Sequence, residues 1–221
     1  MENGAITKRQ FLTKKQKKYI RLKRIGDCML AGAGLVLLCP VLFGISVAIK
    51  LDSPGPILFK QDRVGKDKKI FEIWKFRTMR IDTPKDMPTH LLHNPEQYIT
   101  KVGRFLRKTS LDELPQIWQI VTGKMSIVGP RPALWNQYDL IEERDKGLSN
   151  KILPGLTGWA QIHGRDELEI DVKAKLDNYY AYNIGFGIDV KCFFLTFSKV
   201  LHRDGVVEGC REEDINARKE K

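Results

Sequence analysis

The chain has 221 residues, 42% of them hydrophobic and 29% charged, with a formal net charge of +11. That balance excludes disorder throughout, and the length suits one domain with a proper core, with or without an appendage. Four cysteines, Cys28, Cys39, Cys192 and Cys210, form no CxxC pair, which argues against a zinc site or disulfide framework and fits a reducing, cytosol-facing protein.

The charge is concentrated at the start. Before Gly26 the chain carries Lys8, Arg9, Lys14, Lys15, Lys17, Lys18, Arg21, Lys23 and Arg24 against Glu2, which makes +8 of the +11. Residues 1–26 read as a basic leader. Such a segment seeks anionic partners: nucleic acid, anionic lipid or phosphorylated small molecules. Nucleic-acid binding calls for a basic face with interleaved aromatics and a known motif, neither of which follows, so nucleic acid is not an expected partner.

From Cys28 to Ile49 no residue is charged, a stretch of 22 residues bounded by Asp27 and Lys50. As a helix it would reach about 33 Å, enough to cross a bilayer. Residues 27–50 are therefore predicted to form a membrane-inserted helix. The length of the apolar part, and the lack of a small-x-small cleavage site after it, disfavour a signal peptide. Pro40 falls near the middle, where it removes a backbone donor and clashes with the preceding turn; Gly32, Gly34 and Gly44 loosen the helix further. Both flanks are basic, with Lys17, Lys18, Arg21, Lys23 and Arg24 before and Lys50, Lys60, Arg63, Lys66, Lys68 and Lys69 after. Positive charge favours the cytoplasmic side. A Pro-broken, re-entrant helix keeps both flanks there, and it is preferred to a straight crossing or a buried soluble helix provided its freed backbone groups find partners.

Residues 51–205 read as a catalytic domain on the cytosolic face and 206–221 as a polar tail. Ser53-Pro54-Gly55-Pro56 is a turn cluster. Ile57–Gln61 and Ile70–Phe76 are rich in β-branched and aromatic residues around Val64-Gly65-Lys66-Asp67, which predicts a hairpin. Thr83–Pro95 reads as a Pro-rich loop. Its His90 and His93 have the spacing of metal ligands but lack a clear third ligand, and solvated loop histidines are the plainer reading. A helix is predicted over Ile99–Leu106. Ser110 is the expected N-cap of the next, with Glu113 as capping-box partner, Leu111, Leu114, Trp118 and Val121 as its apolar stripe, and Gly123 as terminator. Another helix is predicted from Arg131-Pro132 through Asp139 and Arg144. Asp171–His202 reads as amphipathic helix, resting on a membrane surface or packed in an ordinary core. The fold class is α+β, mainly helical: a re-entrant helix, a small hairpin and amphipathic interfacial helices around a compact catalytic domain.

Three clusters carry chemistry: Lys75-Phe76-Arg77-Thr78-Met79, Arg107 through Gln116, and Val128-Gly129-Pro130-Arg131-Pro132. Asp112 and Glu113 alone would be ordinary acids at a helix N-terminus. With Arg107, Lys108 and Arg131 nearby, they suggest a phosphate site with adjacent carboxylates. Arginine forks match phosphate oxygens, carboxylates suit Mg²⁺ bridging to substrate phosphates, and a carboxylate can attack phosphorus. Pro154-Gly155-Leu156-Thr157-Gly158-Trp159-Ala160-Gln161 lacks the endings of known phosphate-binding loops and reads as a structured loop, either near the sugar or nucleotide or away from them. His163, which precedes Arg165, reads as a structural hydrogen-bonder rather than a base, and Trp118, Trp135 and Trp159 as core or membrane-interface anchors.

These clusters, in this order after an apolar helix, resemble the monotopic polyprenyl-phosphate phosphoglycosyl transferases, bacterial sugar transferases that start capsule, exopolysaccharide and glycoprotein glycan assembly. The resemblance runs from about Lys23 to about His202. It implies that Asp112 is the nucleophile that takes a phosphosugar from a UDP-sugar and releases UMP, and that a polyprenyl phosphate such as undecaprenyl phosphate then collects it. It implies that Glu113 positions or moves a proton, that Asp112 holds Mg²⁺, and that Lys75, Arg77, Arg107 and Arg131 surround the phosphates while Pro130 shapes the turn before Arg131. Pro40 matches the family's helix break, with Cys39 where members often have Ser. The implied setting is the cytoplasmic face of a bacterial inner membrane, in contact with membrane lipid and compatible with a homodimer. The competing class is a non-catalytic basic module or scaffold tethered to the membrane. The sequence does not decide the donor sugar.

Overall fold

The structure, a computed structural model, describes residues 11–83, 95–164 and 168–202. His90, His93, Arg165, Cys210 and the polar tail lie outside the described residues.

The chain opens with α1 (Lys14–Asp52), a helix of 39 residues and about 58 Å. It starts inside the basic leader. Thr13 caps it in a capping box with Gln16, whose backbone N–H donates to the Thr13 hydroxyl while its side-chain carbonyl accepts from the Thr13 N–H. α1 runs as one element through Pro40, so the expected break is not an interruption of the helix: proline removes one N–H and crowds one turn, and long helical arms on both sides continue past it.

The N-terminal arm of α1 is docked by polar contacts. Gln16 donates to the carbonyls of Ala181 and Tyr182. Lys23 lies 3.5 Å from Asp27 and 2.8 Å from Asp189. Arg24 caps carbonyls of Ile120 and Val121. Asp27, buried, accepts from the Ser126 hydroxyl at 2.5 Å. The leader's charge is thus divided: Lys14, Lys15, Lys17, Lys18 and Arg21 face outward, whereas Lys23 and Arg24 hold the body together. The C-terminal arm packs through Leu42, Ile45 and Ile49 onto Phe76 and Leu106. Between and opposite these contacts Met29, Leu30, Val36, Leu37, Val41, Phe43 and Val47 are exposed.

The predicted hairpin forms. β1 (Leu58–Val64) pairs antiparallel with β2 (Ile70–Phe76) in the register Leu58 to Phe76 through Val64 to Ile70. α2 (Lys101–Thr109) follows, then a 3₁₀ turn (Leu111–Glu113) and α3 (Gln116–Val121). This corrects the expected helix start. Ser110 closes α2 in the left-handed region at φ 56° and makes no side-chain cap bond. Pro115 has no N–H to give to the Leu111 carbonyl, so an α-helical ladder cannot run through the turn. Gly123, at φ +88°, ends α3 as expected.

β3 (Ser126–Val128) and β4 (Gly155–Thr157) form a short parallel ladder, in which the Pro154–Gln161 string finds its structural use. A Cβ on Gly155 or Gly158 would overlap the Gly129 backbone. The helix predicted from Arg131 begins later, as α4 (Tyr138–Asp145). Arg131–Leu134 instead runs beside the end of β1: Val64 donates to the Ala133 carbonyl at 2.9 Å and Arg63 bridges to Leu134. α5 (Trp159–Ile162), α6 (Ile170–Tyr182) and α7 (Phe186–His202) complete the chain. α7 is amphipathic, with Asp189 and Cys192 buried and Phe186, Phe193, Phe194 and Leu195 exposed. The core joins Val128, Leu148, Ile152, Ile162, Tyr180, Ala181 and Cys192.

Candidate active site

Three segments far apart in sequence deliver the site. β2 brings Lys75, and its neighbour Trp74 donates to Gln119, whose side chain in turn donates to the Glu72 carbonyl; this clamp sets α3 and the turn before it against the strand. The 3₁₀ turn presents Asp112 and Glu113 at the end of α2. The β3–β4 ladder launches Arg131: Gly129 donates to Thr157 at 2.8 Å, and Gly155 donates to the Pro130 carbonyl at 2.9 Å. Pro130 is buried.

The cations converge on Glu113. Lys75 Nζ lies 2.7 Å from its Oε1, and Arg131 Nη2 donates to the same oxygen at 2.7 Å, with Nη1 at 3.4 Å from Oε2. Lys75 is 4.0 Å from Asp112 Oδ2. Both acids are mostly covered, with side chains 13% exposed at Asp112 and 17% at Glu113. Their electrostatics differ. Burial alone would raise the Glu113 carboxyl, but Arg131 and Lys75 outweigh it and hold it well below the usual carboxylate range. Burial also pushes Asp112 up; Lys75 opposes this, the adjacent Glu113 charge adds to it, and the net position is above an ordinary aspartate. A pair whose environments push the two acids apart is a common arrangement for dividing two chemical roles.

The remaining predicted site residues sit around this core. Arg107 donates to the Thr78 hydroxyl at 3.0 Å and contacts Met79 Sδ at 3.4 Å, at the edge of the same turn. Arg77 is placed otherwise. It is 5% exposed and closes the C-terminus of α1, donating to the carbonyls of Pro54 and Ser53 at 2.7 and 2.6 Å and to the Ser53 hydroxyl at 2.8 Å. The structure gives Arg77 the work of fastening the apolar helix to the site strand. Pro40 lies in the exposed stretch of α1. His163 is paired with the Trp159 carbonyl at 2.7 Å, in keeping with a structural bond.

Sequence reading missed two supporting residues. Arg144 on α4 pairs with Asp177 on α6 through Nε and Nη2 at 3.0 and 2.6 Å, and its Nη2 also donates to the Arg131 carbonyl at 2.9 Å. This buried pair fixes the backbone from which Arg131 reaches Glu113. The signal available was only an Arg and an Asp, each inside a helix.

Among the described residues there is no group of three or more His, Cys, Asp or Glu side chains arranged to hold a metal ion. Mg²⁺ needs less when substrate supplies ligands, since one or two carboxylates plus phosphate oxygens suffice. Glu113 is engaged by two cations, so Asp112 is the carboxylate that suits such a role.

A sequence model of the family described as bacterial sugar transferase matches residues 18–203. The UDP-glucose:undecaprenyl-phosphate glucose-1-phosphate transferase of Escherichia coli (strain K12) is 43% identical over 185 residues, 80% of this chain and 40% of that protein. The uncharacterized sugar transferase EpsL of Bacillus subtilis (strain 168) is 40% identical over 188 residues, 84% of this chain and 90% of that one. The undecaprenyl-phosphate galactose phosphotransferase of Salmonella typhimurium (strain LT2) is 32% identical over 209 residues, 88% of this chain and 43% of that protein. The chain thus spans about two fifths of the E. coli and Salmonella relatives and most of the Bacillus one.

Proposed function

The chain belongs to the bacterial sugar transferase family, and on that premise we propose that it moves a sugar 1-phosphate from a UDP-sugar to undecaprenyl phosphate or a similar polyprenyl phosphate, releasing UMP. The observation that carries this reading is the asymmetric dyad. Glu113 is neutralised by Lys75 and Arg131, while Asp112, next to it, is held by one looser ion pair. The names of the E. coli and Salmonella relatives support the donor and acceptor classes.

In this mechanism an Asp112 oxygen attacks the sugar-bearing phosphorus. The bond from that phosphorus to the bridging oxygen breaks, and UMP leaves with the oxygen. Asp112 then carries the phosphosugar as an acyl phosphate. An oxygen of the polyprenyl phosphate attacks the same phosphorus, the bond from that phosphorus to the Asp112 oxygen breaks, and the Asp112 carboxylate is restored. Lys75, Arg107 and Arg131 stabilise negative charge on the phosphate oxygens. Glu113 keeps Lys75 and Arg131 at the correct distance and stays ionised throughout. Mg²⁺, held at Asp112 with substrate phosphate oxygens, would neutralise phosphate charge.

We place the reaction at the cytoplasmic face of the bacterial plasma membrane, as an opening step of glycan assembly. Both arms of α1 pack on one body, at Gln16–Ala31 and at Leu42–Asp52. A straight crossing would separate them. A shallow entry that returns to the same face keeps them together, with Pro40 as the point of bending, and buries the exposed apolar side of the helix in lipid.

The test is turnover of the purified protein in detergent with Mg²⁺, undecaprenyl phosphate and a panel of UDP-sugars. UMP release by the native chain, abolished in Asp112→Asn, is expected. Release of UDP would mean that the glycosidic bond breaks instead and would overturn the mechanism. The scaffold reading requires no release with any donor.

A further inference from the structure

A groove of about 460 Å³ lies between the C-terminal arm of α1 and the flank of α2. Gly44, Ile45 and Ala48 line one side, and Val102, Phe105 and Leu106 the other, with Lys101 the one charged residue among the described residues of the lining. We infer that this groove takes isoprene units of the polyprenyl acceptor, guiding the tail while its phosphate reaches Asp112. The inference rests on the transferase reading above and adds where the lipid runs.

Three observations converge on that occupant. The first is continuity with the site. Leu106 in the groove wall belongs to the same cluster as Leu111 and Leu114, the residues on either side of Asp112 and Glu113. The groove wall is therefore continuous, through packed leucines, with the turn that carries the dyad.

The second is access. Val41, Phe43 and Val47, exposed apolar residues of α1, lie beside Gly44 and Ala48 in sequence, and Phe105 on the opposite wall is also exposed. The groove opens onto the surface that the helix presents to lipid, so a tail can enter without crossing water.

The third is shape and chemistry. Gly44 and Ala48 stand one turn apart on α1 and keep that wall low; a Cβ added to Gly44 meets nothing within 4 Å. The space is apolar and takes a branched hydrocarbon through burial alone. A phospholipid acyl chain shares that chemistry, but the tail of the acceptor is tethered to a phosphate that must sit at the adjacent site.

The experiment compares native protein with Gly44→Phe and Ala48→Phe in nanodiscs. Three rates are measured: exchange of labelled UMP into the UDP-sugar without acceptor, transfer to undecaprenyl phosphate, and transfer to a one-unit prenyl phosphate too short to fill the groove. Filling the groove should lower kcat/KM for undecaprenyl phosphate at least about tenfold, mainly through KM. Exchange and transfer to the one-unit acceptor should stay within about twofold of native, well under the roughly 1.4 kcal/mol that a tenfold change represents. Unchanged kinetics with undecaprenyl phosphate in Gly44→Phe, where space is open, would overturn the proposal. So would equal losses in all three rates, which would mean general damage. Altered retention on liposomes with unchanged acceptor kinetics would assign the groove to a bilayer acyl chain and overturn it too. Absence of exchange in the native chain would be a different failure, since it would remove the covalent transferase reading itself.

Discussion

Arg144 and Asp177 meet as one cation and one anion, 3% and 1% exposed, with two nitrogens on one carboxylate oxygen. Asp112 and Glu113 meet Lys75 and Arg131 in equal number, but both cations lean on Glu113. Burial pushes Asp177 and Asp112 upward alike. Asp177 takes two nitrogens of Arg144, whereas Asp112 has Lys75 at 4.0 Å and a second anion beside it. One centre is matched by a bidentate cation and serves the fold. The other keeps a carboxylate incompletely matched, at a cost in stability, which suits a group that must bind phosphate chemistry.

That contrast can be broken most strongly at the nucleophile. Asp112→Asn should reduce UMP turnover by about a thousandfold or more. It should not unfold the protein: because burial raises the folded-state pKa of Asp112, its ionised form costs stability above the unfolded value, and the amide removes that cost. In magnesium-free buffer at neutral pH, differential scanning calorimetry should show an unchanged or higher Tm, with the gain fading as pH falls into the carboxylate range. A lower Tm would make the two centres alike.

The structural centre should respond in the opposite sense. Arg144→Ala strands a buried carboxylate and should cost about 3–5 kcal/mol in denaturant unfolding, whereas Arg144→Met with Asp177→Leu should recover most of that. The double variant also loses the bond to the Arg131 carbonyl, so it should stay folded yet turn over more slowly. Full activity would remove Arg144 as a positioning residue.

Lys75→Met sharpens the comparison within the site. Lys75 is the largest influence holding Asp112 down against burial, so its loss should move the acid limb of the kcat/KM profile to higher pH. In the native chain Glu113 lies well below the range and is ionised there, and the variant keeps Arg131, the larger of its two charge partners, so the limb is assigned to Asp112. A limb that moves down would contradict the assignment. The smallest effect is expected at Ser110, whose hydroxyl makes no cap bond: Ser110→Ala should change stability by less than about 0.5 kcal/mol, where a capping serine would lose about 1 kcal/mol.

The hairpin was legible because runs rich in β-branched and aromatic residues flank a turn. The apolar length of α1 and the members of the dyad were legible as well. The Thr109–Gln116 stretch was misread because a Ser three residues before a Glu has the pattern of a capping box, while the deciding facts lie elsewhere. Pro115 blocks the ladder, and the Glu113 carboxylate is drawn to Lys75 and Arg131, which come from segments 38 and 18 residues away. The start of α4 was placed early for a similar reason: Arg131–Leu134 pairs with the end of β1, a partner invisible to local pattern. Arg77 was assigned to the phosphates by the family resemblance alone; which groups it serves depended on where α1 ends.

The covalent step at Asp112 is read most directly by mass spectrometry of the protein mixed with its UDP-sugar and Mg²⁺ in the absence of acceptor. Release of up to one UMP per site is expected, with a phosphosugar adduct on the peptide carrying Asp112 that is discharged when polyprenyl phosphate is added. UMP that appears only with acceptor present, with no adduct on Asp112 at any time, would contradict that step.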